Sequence, residues 1–155
     1  MPLTHEQLPI LISGLAGVHG YNTFYYFKKH YPGQVCGIRP VQTRSLMDDD
    51  IHIINGEDLQ SLQALFRAHR FRTVIDASGC CALKSCEYNH ELARTVNIDC
   101  GRNLMQLARD FGSRLVRFSS DLVFDGCGDG GYVESAPVSP VTIYGQTMAE
   151  AEQII

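Results

Sequence analysis

The segment at residues 14–20, Gly-Leu-Ala-Gly-Val-His-Gly, constrains the fold of this chain most, because it places three glycines between an apolar run and a helical pattern. The apolar run at residues 9–13 predicts a buried strand, and the pattern at residues 18–30 predicts a helix. Glycines at this spacing allow a tight turn and close packing of the helix against the strand. The sequence therefore predicts a strand, a sharp turn and a helix as the first unit of the fold.

Such a turn also suits the phosphates of a dinucleotide. Its backbone can approach a pyrophosphate closely, and the unpaired N–H groups at the start of the helix face the phosphate oxygens. Glycine-rich turns are common, so the strand before and the helix after are what favour this interpretation. The candidate cofactor contacts in the turn are Gly14, Gly17, Val18, His19 and Gly20, of which we interpret His19 as a loop residue rather than a ligand.

Short apolar runs alternate with longer helical patterns along the rest of the chain. Further strands are predicted at residues 34–38, 51–54, 73–77 and 115–119, and further helices at residues 58–69, 91–111 and 144–155. This alternation predicts an α/β fold in which helices cover a doubly wound parallel sheet, as one domain over residues 1–155. The last helix has no cap where such a sheet would ordinarily continue, so we expect the front part of a longer protein.

Asn97 lies beside the apolar stripe of the predicted helix at residues 91–111. A half-buried amide in the middle of a helix needs hydrogen-bond partners, so Asn97 is expected to tie the helix to neighbouring backbone. The alternative is a solvated asparagine, and the spacing alone does not distinguish the two.

The charge and the apolar runs exclude two classes of partner. The formal net charge is −4, which leaves no basic surface large enough to indicate a nucleic acid. No apolar run approaches the roughly 20 residues of a membrane span. We therefore expect neither a nucleic-acid partner nor a membrane partner, and a cytoplasmic location.

The chain has six cysteines, an even number that would suggest disulfides in a small secreted protein. Cys36 and Cys100 fall inside apolar patterns, however, which favours buried thiols. Cys80, Cys81 and Cys86 lack the paired C-x-x-C spacing of a zinc site. We interpret the cysteines as buried or incidental thiols and expect no metal.

The end of the second predicted strand bears on the choice of cofactor. An acidic residue at this point would bond the ribose 2′-hydroxyl of NAD, but the chain has Arg39 there. A guanidinium matches the 2′-phosphate of NADP, so the sequence predicts NADP(H) in preference to NAD, with Arg44 as a possible assistant. The alternative is an exposed surface arginine without a role.

These motifs resemble those of the extended short-chain dehydrogenases, and among them the dTDP-4-dehydrorhamnose reductases and their relatives. The likeness covers nearly the whole chain. It rests on the glycine turn, on Val-Ile-Asp-Ala-Ser-Gly at 74–79, on Val-Asn at 96–97, on Ser-Ser-Asp-Leu-Val-Phe-Asp-Gly at 119–126 and on Pro-Val-Thr-Ile-Tyr-Gly at 140–145. The resemblance implies a Rossmann-like cofactor domain that lacks the C-terminal portion in which the family binds its substrate.

The resemblance also implies roles for individual residues. Ser120 would polarise a substrate carbonyl and Tyr144 would donate a proton to its oxygen, while NADPH supplies a hydride to a nucleotide-linked keto-sugar. The small residues of the fourth strand would line the nicotinamide side. The remaining candidate cofactor contacts are Ala77, Ser78, Gly79, Asn55, Asn97, Ser119 and Tyr144 itself.

Three positions depart from the family pattern. Asp76 replaces an amide or histidine, Leu122 replaces an aromatic residue, and Met148 stands where a lysine is expected four residues after Tyr144. That lysine would hold the nicotinamide ribose and stabilise the phenolate, and a thioether offers only packing and weak acceptance. Lys84 or Arg117 would be the cations able to take its place.

Hydride transfer is therefore expected to be impaired, although the tyrosine is protonated at neutral pH and can still act as an acid. One hypothesis is an NADP-dependent reductase with an altered catalytic triad, acting on a nucleotide-sugar or another small molecule. The alternatives are a non-catalytic dinucleotide-binding regulatory subunit and a truncated inactive relative. Apolar helix faces also suggest a homodimer.

Overall fold

The computed structural model describes residues 3–43, 46–80, 82–127 and 129–155, so Arg44 and Cys81 lie outside the described residues. Its centre is a five-stranded parallel sheet. The strands are β1 (Ile10–Ser13), β2 (Val35–Arg39), β3 (Ile51–Ile53), β4 (Thr73–Asp76) and β5 (Arg114–Arg117). All five predicted strands are confirmed, each within about two residues of its predicted ends.

The strand order is β3-β2-β1-β4-β5, which confirms the doubly wound α/β fold with Rossmann-like order. The chain builds the sheet outward from β1 through β2 and β3, and then returns to the other side of β1 with β4. In the register, Leu11 lies between Cys36 of β2 and Val74 of β4. The direction in which the chain adds strands therefore reverses between β1 and β4. A crevice opens at the carboxyl ends of these two strands.

Side chains cap the starts of some of the helices. They are α1 (Val18–His30), α2 (Leu59–His69), α3 (Leu83–Tyr88), α4 (His90–Arg94), α5 (Cys100–Phe111) and α6 (Ile143–Ile154). Asp58 caps α2 by accepting a hydrogen bond of 3.0 Å from the Ser61 N–H, and Thr142 caps α6 in the same way through Gly145. Within the described ranges, no helix has both the length and the apolar character that crossing a bilayer requires.

The predicted helix at residues 91–111 is not one regular helix. It consists of α4 and α5, joined by a π-helical turn at Thr95–Asp99, and the backbone remains helical at both joins. The wider turn places both Asn97 and Ile98 inside the protein, with 0% and 1% of their surface exposed. Helix α3 was not predicted, since its short sequence buries only Cys86.

Apolar side chains cover both faces of the sheet. Helices α2 and α5 pack on the face that carries Leu11, Cys36 and Ile38, whereas α1 packs on the opposite face. A third cluster lies beside the sheet and contains Cys86, Ala93, Val123, Tyr144, Met148 and Ala149. Cys36 and Cys100 are buried free thiols, as predicted.

Candidate active site

Two of the three glycines in the turn are required by close contacts of the backbone. Gly14 has a φ of +76°, and a Cβ at this position would lie 2.3 Å from the carbonyl group of Ala77. A Cβ on Gly20 would lie 2.2 Å from the Gly14 carbonyl oxygen. The turn therefore presses against the end of β4 on one side and against the first turn of α1 on the other, as the glycine pattern predicts.

Gly17 differs from the other two glycines because no protein group fills the space beside it. A Cβ on Gly17 would meet only the Gly14 carbonyl oxygen, at an ordinary contact distance of 3.5 Å. Gly17 is exposed, and so are Val18 and His19, the first residues of α1, so the interpretation of His19 as a loop residue is wrong. The His19 ring packs edge-on against Phe118. The start of α1 thus offers helical N–H groups to a ligand, with room for it over Gly17.

A cavity lies at the carboxyl ends of β1, β2 and β4, bordered by the start of α5. It is lined by Ser13, Gly14, Ala16, Gly17, Ile38, Arg39, Pro40, Ile54, Gly56, Glu57, Ala77, Ser78, Gly79, Val96, Cys100 and Leu104. This set includes the predicted contacts Gly14, Gly17, Arg39, Ala77, Ser78 and Gly79, but not Val18, His19, Gly20, Asn55, Asn97, Ser119 or Tyr144. The cavity therefore gathers the turn, the end of β2 and the end of β4 into one crevice.

Arg39 lies in the wall of this cavity and is only 3% exposed, so the alternative of an exposed surface arginine is wrong. Its Nε donates a hydrogen bond of 2.6 Å to the carbonyl of Leu46, and a second nitrogen donates at 3.2 Å to the carbonyl of Pro40. A third nitrogen contacts the sulfur of Met47 at 3.4 Å. The guanidinium is thus folded against the following loop, and an incoming phosphate would have to replace some of these contacts.

The sequence did not reveal the part of the cavity around Cys100. A Cβ on Gly56 would lie 2.6 Å from the Cys100 sulfur, so the glycine lets the loop after β3 rest on α5. The Cys100 thiol contacts a carboxylate oxygen of Glu57 at 3.7 Å. Burial, and next the negative charge of Glu57, raises the pKa of Cys100 to about 12, so this thiol keeps its proton at neutral pH.

Asn55 belongs to the same loop but does not line the cavity. Its side-chain oxygen accepts a hydrogen bond of 3.1 Å from the Val41 N–H. Asn55 therefore ties the loops after β2 and β3 together, and a contact of its side chain with a cofactor stays a prediction.

Beneath the cavity, Asp76 forms a buried polar cluster. This residue is fully buried and pairs with Arg117, whose side chain is 5% exposed. Its carboxylate also accepts hydrogen bonds from the hydroxyls of Ser13 and Ser78 and from the Ser78 N–H, the last at 3.0 Å. The unusual acid at position 76 is thus neutralised by a cation and held at the floor of the crevice.

Arg117 is fixed by more than this ion pair. It donates a hydrogen bond of 2.5 Å to the carbonyl of Asn97 in the π-helical turn. A Cβ on Gly101 would lie 2.0 Å from a guanidinium nitrogen, so Gly101 makes room for the arginine. Because its charge is held by Asp76, Arg117 is not a mobile cation that could replace the expected lysine.

Asn97 is fully buried, and the prediction that it ties its helix to neighbouring backbone is confirmed. Its side-chain oxygen accepts a hydrogen bond of 2.7 Å from the Cys80 N–H, and its nitrogen donates at 2.9 Å to the hydroxyl of Thr147. Asn97 therefore joins the loop after β4, the π-helical turn and α6.

Ser120 and Ser119 follow β5. The Ser120 hydroxyl accepts a hydrogen bond of 3.2 Å from the Leu122 N–H and donates one to Asp121, so it caps the short 3₁₀ helix at Asp121–Val123. The hydroxyl is therefore bonded to the backbone of the segment that follows β5. The Ser119 hydroxyl bonds Glu152 of α6. A role of Ser120 toward a substrate stays a prediction.

Tyr144 and Met148 pack in the apolar cluster beside the sheet, with 9% and 3% of their surface exposed. A Cβ on Gly145 would lie 2.1 Å from the carbonyl oxygen of Leu122, so this glycine brings the start of α6 onto the turn that Ser120 caps. The sequence motif thus places the tyrosine helix against the serine segment. Met148 packs in the apolar cluster on one side and lines a small cavity with Arg117 and Glu152 on the other.

The chain is similar to known proteins over most of its length. The family model of the RmlD substrate binding domain matches residues 10–155. A dTDP-4-keto-6-deoxy-D-glucose reductase of Streptomyces niveus is 34% identical over 104 residues, which are 67% of this chain and 36% of that protein. The methionine adenosyltransferase 2 subunit beta of Xenopus laevis is 28% identical over 148 residues, which are 94% of this chain and 42% of that subunit.

Solved structures share the fold. The dTDP-4-dehydrorhamnose reductase of Bacillus anthracis in complex with NADP has a TM-score of 0.80 and 21% identity, over 96% of this chain and 49% of that one. The chain therefore spans less than half the length of each of these three proteins.

The glycine contacts predict unequal effects of two alanine substitutions. Gly14→Ala should lower the free energy of unfolding by at least about 2 kcal/mol, because it adds a left-handed backbone penalty to a clash with Ala77. Gly17→Ala should change it by less than about 0.5 kcal/mol, since its Cβ meets no close atom. Urea unfolding of both variants checks this, and equal losses would contradict the account.

Because Asp76 and Arg117 form a buried ion pair, substitutions of the two residues should have non-additive effects on the free energy of unfolding. Arg117→Met should destabilise the protein by about 3–5 kcal/mol, because the Asp76 carboxylate is left buried without a cation. Adding Asp76→Asn should recover part of that loss. A double-mutant cycle, measured by urea unfolding, gives the coupling free energy between Asp76 and Arg117. A coupling free energy near zero would show that the pair does not stabilise the fold. Arg70→Met, at an exposed arginine, is the matched control.

Proposed function

We propose that this chain, which belongs to the family of the RmlD substrate binding domain, binds NADP in the crevice at the ends of β1 and β4. It would be the cofactor-binding part of a reductase-like protein that acts on nucleotide-linked keto-sugars. The observation that carries the proposal is the glycine turn, which is pressed against Ala77 and leaves open space over Gly17. A nucleotide-sugar or other small-molecule substrate, a cytoplasmic location and a homodimer belong to the same proposal.

The diphosphate would bind at the start of α1. Val18, His19 and Gly20 stand in the first turn of this helix, where backbone N–H groups have no intrahelical partner. The open space over Gly17 lets phosphate oxygens approach these groups, and the helix dipole favours their negative charge. The residues present therefore fit the diphosphate of a dinucleotide.

The adenosine end would lie along Arg39, Pro40 and the loop after β3. Arg39 gives this part of the cavity a positive charge, and its contacts to Leu46, Pro40 and Met47 are with neutral groups. A 2′-phosphate would therefore exchange neutral acceptors for a charged one, which strengthens a hydrogen bond roughly twofold. This exchange supports NADP over NAD, although Glu57 in the same cavity wall opposes a phosphate close to it.

The nicotinamide end would lie over Ala77, Ser78 and Gly79. NADPH, when bound, would supply the hydride. Tyr144 would provide the proton and Ser120 would orient the carbonyl, for which the Ser120 hydroxyl must leave its capping bond or share it. Met148 cannot supply the charge that a lysine would place beside the ribose and the phenolate. Hydride transfer is therefore proposed to be slow.

A non-catalytic role as a regulatory subunit is the second candidate. The burial of Met148 in an apolar cluster favours it, because a packed thioether cannot supply the charge of the expected lysine. The 28% identity to a protein named as a subunit, over 94% of this chain, supports the same role. Both candidates share dinucleotide binding and differ in turnover.

Calorimetric titration with NADPH and NADH at matched salt tests cofactor binding. We expect micromolar binding of NADPH and weaker binding of NADH. Arg39→Met should lower the affinity for NADPH by roughly 10–100-fold, because it removes a hydrogen bond to a charged group. The affinity for NADH should remain nearly unchanged. The NADH value of the same variant controls for its folding.

Gly17→Ala is the second variant for this titration, because its Cβ would occupy the space over the turn without touching the protein. It should weaken both cofactors equally. Equal affinity of the unsubstituted chain for NADH and NADPH would contradict the role of Arg39, and failure to bind either would contradict the proposed function.

The methionine at position 148 leads to a prediction about reductase activity. The unsubstituted protein should reduce a nucleotide-linked keto-sugar very slowly, and Met148→Lys should raise the rate only when a substrate-binding portion is supplied. The lysine should also lower the free energy of unfolding by about 1–3 kcal/mol, because it buries an amine among apolar groups. Met148→Leu controls for packing. Turnover of the unsubstituted chain at ordinary enzymatic rates would refute the impairment.

A further inference from the structure

Three side chains that the proposed function does not use converge on one face of the sheet. Cys36 lies in β2, His52 lies in β3, and His69 is the last residue of α2. His52 pairs with Ile38 in the parallel register, and Ile38 is two residues beyond Cys36 in the same strand. The side chains of Cys36, Ile38 and His52 therefore point to the same face of the sheet. Helix α2 covers that face and brings His69 over it.

The three ligand atoms are close enough for one ion. The Cys36 sulfur lies 3.5 Å from Nδ1 of His69, and all three atoms lie within 4.8 Å of one another. In a tetrahedral zinc site, Zn–S and Zn–N bonds of about 2.3 and 2.0 Å put sulfur and nitrogen about 3.5 Å apart. The Cys36 and His69 atoms already have this separation, and the His52 nitrogen lies no more than 4.8 Å from either of them.

The surroundings favour a cation. Asp50, which also pairs with Lys28 at 2.9 Å, is close enough for its negative charge to act on both Cys36 and His52. His69 lies at the carboxyl end of α2, which carries the negative end of the helix dipole. The His69 ring is held by stacking on Phe71, with ring centres 5.3 Å apart, and meets the His52 ring edge-on at 5.5 Å. Supported imidazole rings lose little freedom on binding a metal.

Metal binding would require the loss of one proton, from the Cys36 thiol. Burial lowers the pKa of His52, which favours its neutral form. Burial raises the pKa of the Cys36 thiol to about 11, so without a metal it remains a thiol that contacts His69. A coordinated transition metal removes such a proton to solvent.

We propose that Cys36, His52 and His69 bind one divalent transition metal of the zinc class, with a fourth position open to water. The burial of the three ligands is graded, from a buried cysteine to an exposed histidine, which leaves the solvent side of the site accessible. Sulfur and imidazole together suit zinc or copper rather than magnesium or calcium.

The site would be structural and not part of the crevice. Cys36 stands near the amino end of β2, and His69 comes just before the start of β4, whereas the crevice lies at the carboxyl ends of the strands. A metal here would fasten the edge strand β3 and the end of α2 to β2. The sequence expectation of no metal missed the cluster, because its three members come from three separate elements.

Titration of the metal-free full chain with Co²⁺, followed by competition with Zn²⁺, tests the site. We expect one equivalent of Co²⁺ to bind with a thiolate-to-cobalt charge-transfer band that Zn²⁺ abolishes. At a hundredfold excess over Kd, Zn²⁺ should raise Tm by about 5–10 °C. Cys36→Ser should lose the band and the rise in Tm.

His69→Gln is the second variant, because its exposed position lets the fold persist if Cys36→Ser fails to fold. It should weaken Co²⁺ binding by at least about tenfold. Cys127→Ser and His90→Gln, at exposed residues outside the cluster, should bind Co²⁺ as the unsubstituted protein does. Absence of the band, or its persistence at full affinity in the Cys36 or His69 variant, would overturn the proposal.

Discussion

The ion pair between Asp76 and Arg117 links several separate parts of this molecule. It joins the ends of β4 and β5, while Ser13 and Ser78 bond the same carboxylate and Asn97 accepts from the same guanidinium. A buried carboxylate without such partners costs several kcal/mol. The two serines at the floor of the crevice, a carbonyl of the π-helical turn and the space left by Gly101 all accommodate these two charges.

The sequence predicted the sheet because buried parallel strands are short apolar runs, and it predicted the crevice because three glycines must follow the first of them. It did not predict the π-helical turn, since one extra residue in a helix hardly changes the apolar spacing around Asn97. Helix α3 escaped prediction because it has six residues and buries only Cys86, which is too little for a periodic pattern.

The candidate site was predicted less completely than the fold. Gly14, Gly17, Arg39 and Ala77 were identified from local motifs, but the partner of Asp76 is 41 residues away in the chain. The same holds for Cys36 with His52 and His69, which only the register of β2 and β3 and the packing of α2 bring together. Contacts between distant elements depend on packing, and spacing along the chain does not encode them directly.

The central claim, that the crevice at β1 and β4 holds a dinucleotide, is tested most directly by mapping amide chemical shifts of the ¹⁵N-labelled chain as NADPH is added. The account predicts saturable shifts at Gly14, Gly17, Val18 and residues 77–79. The chemical shifts of amides at the amino ends of the strands, around Cys36 and Thr73, should not change. Shifts confined to those amino ends, or none at millimolar NADPH, would contradict it.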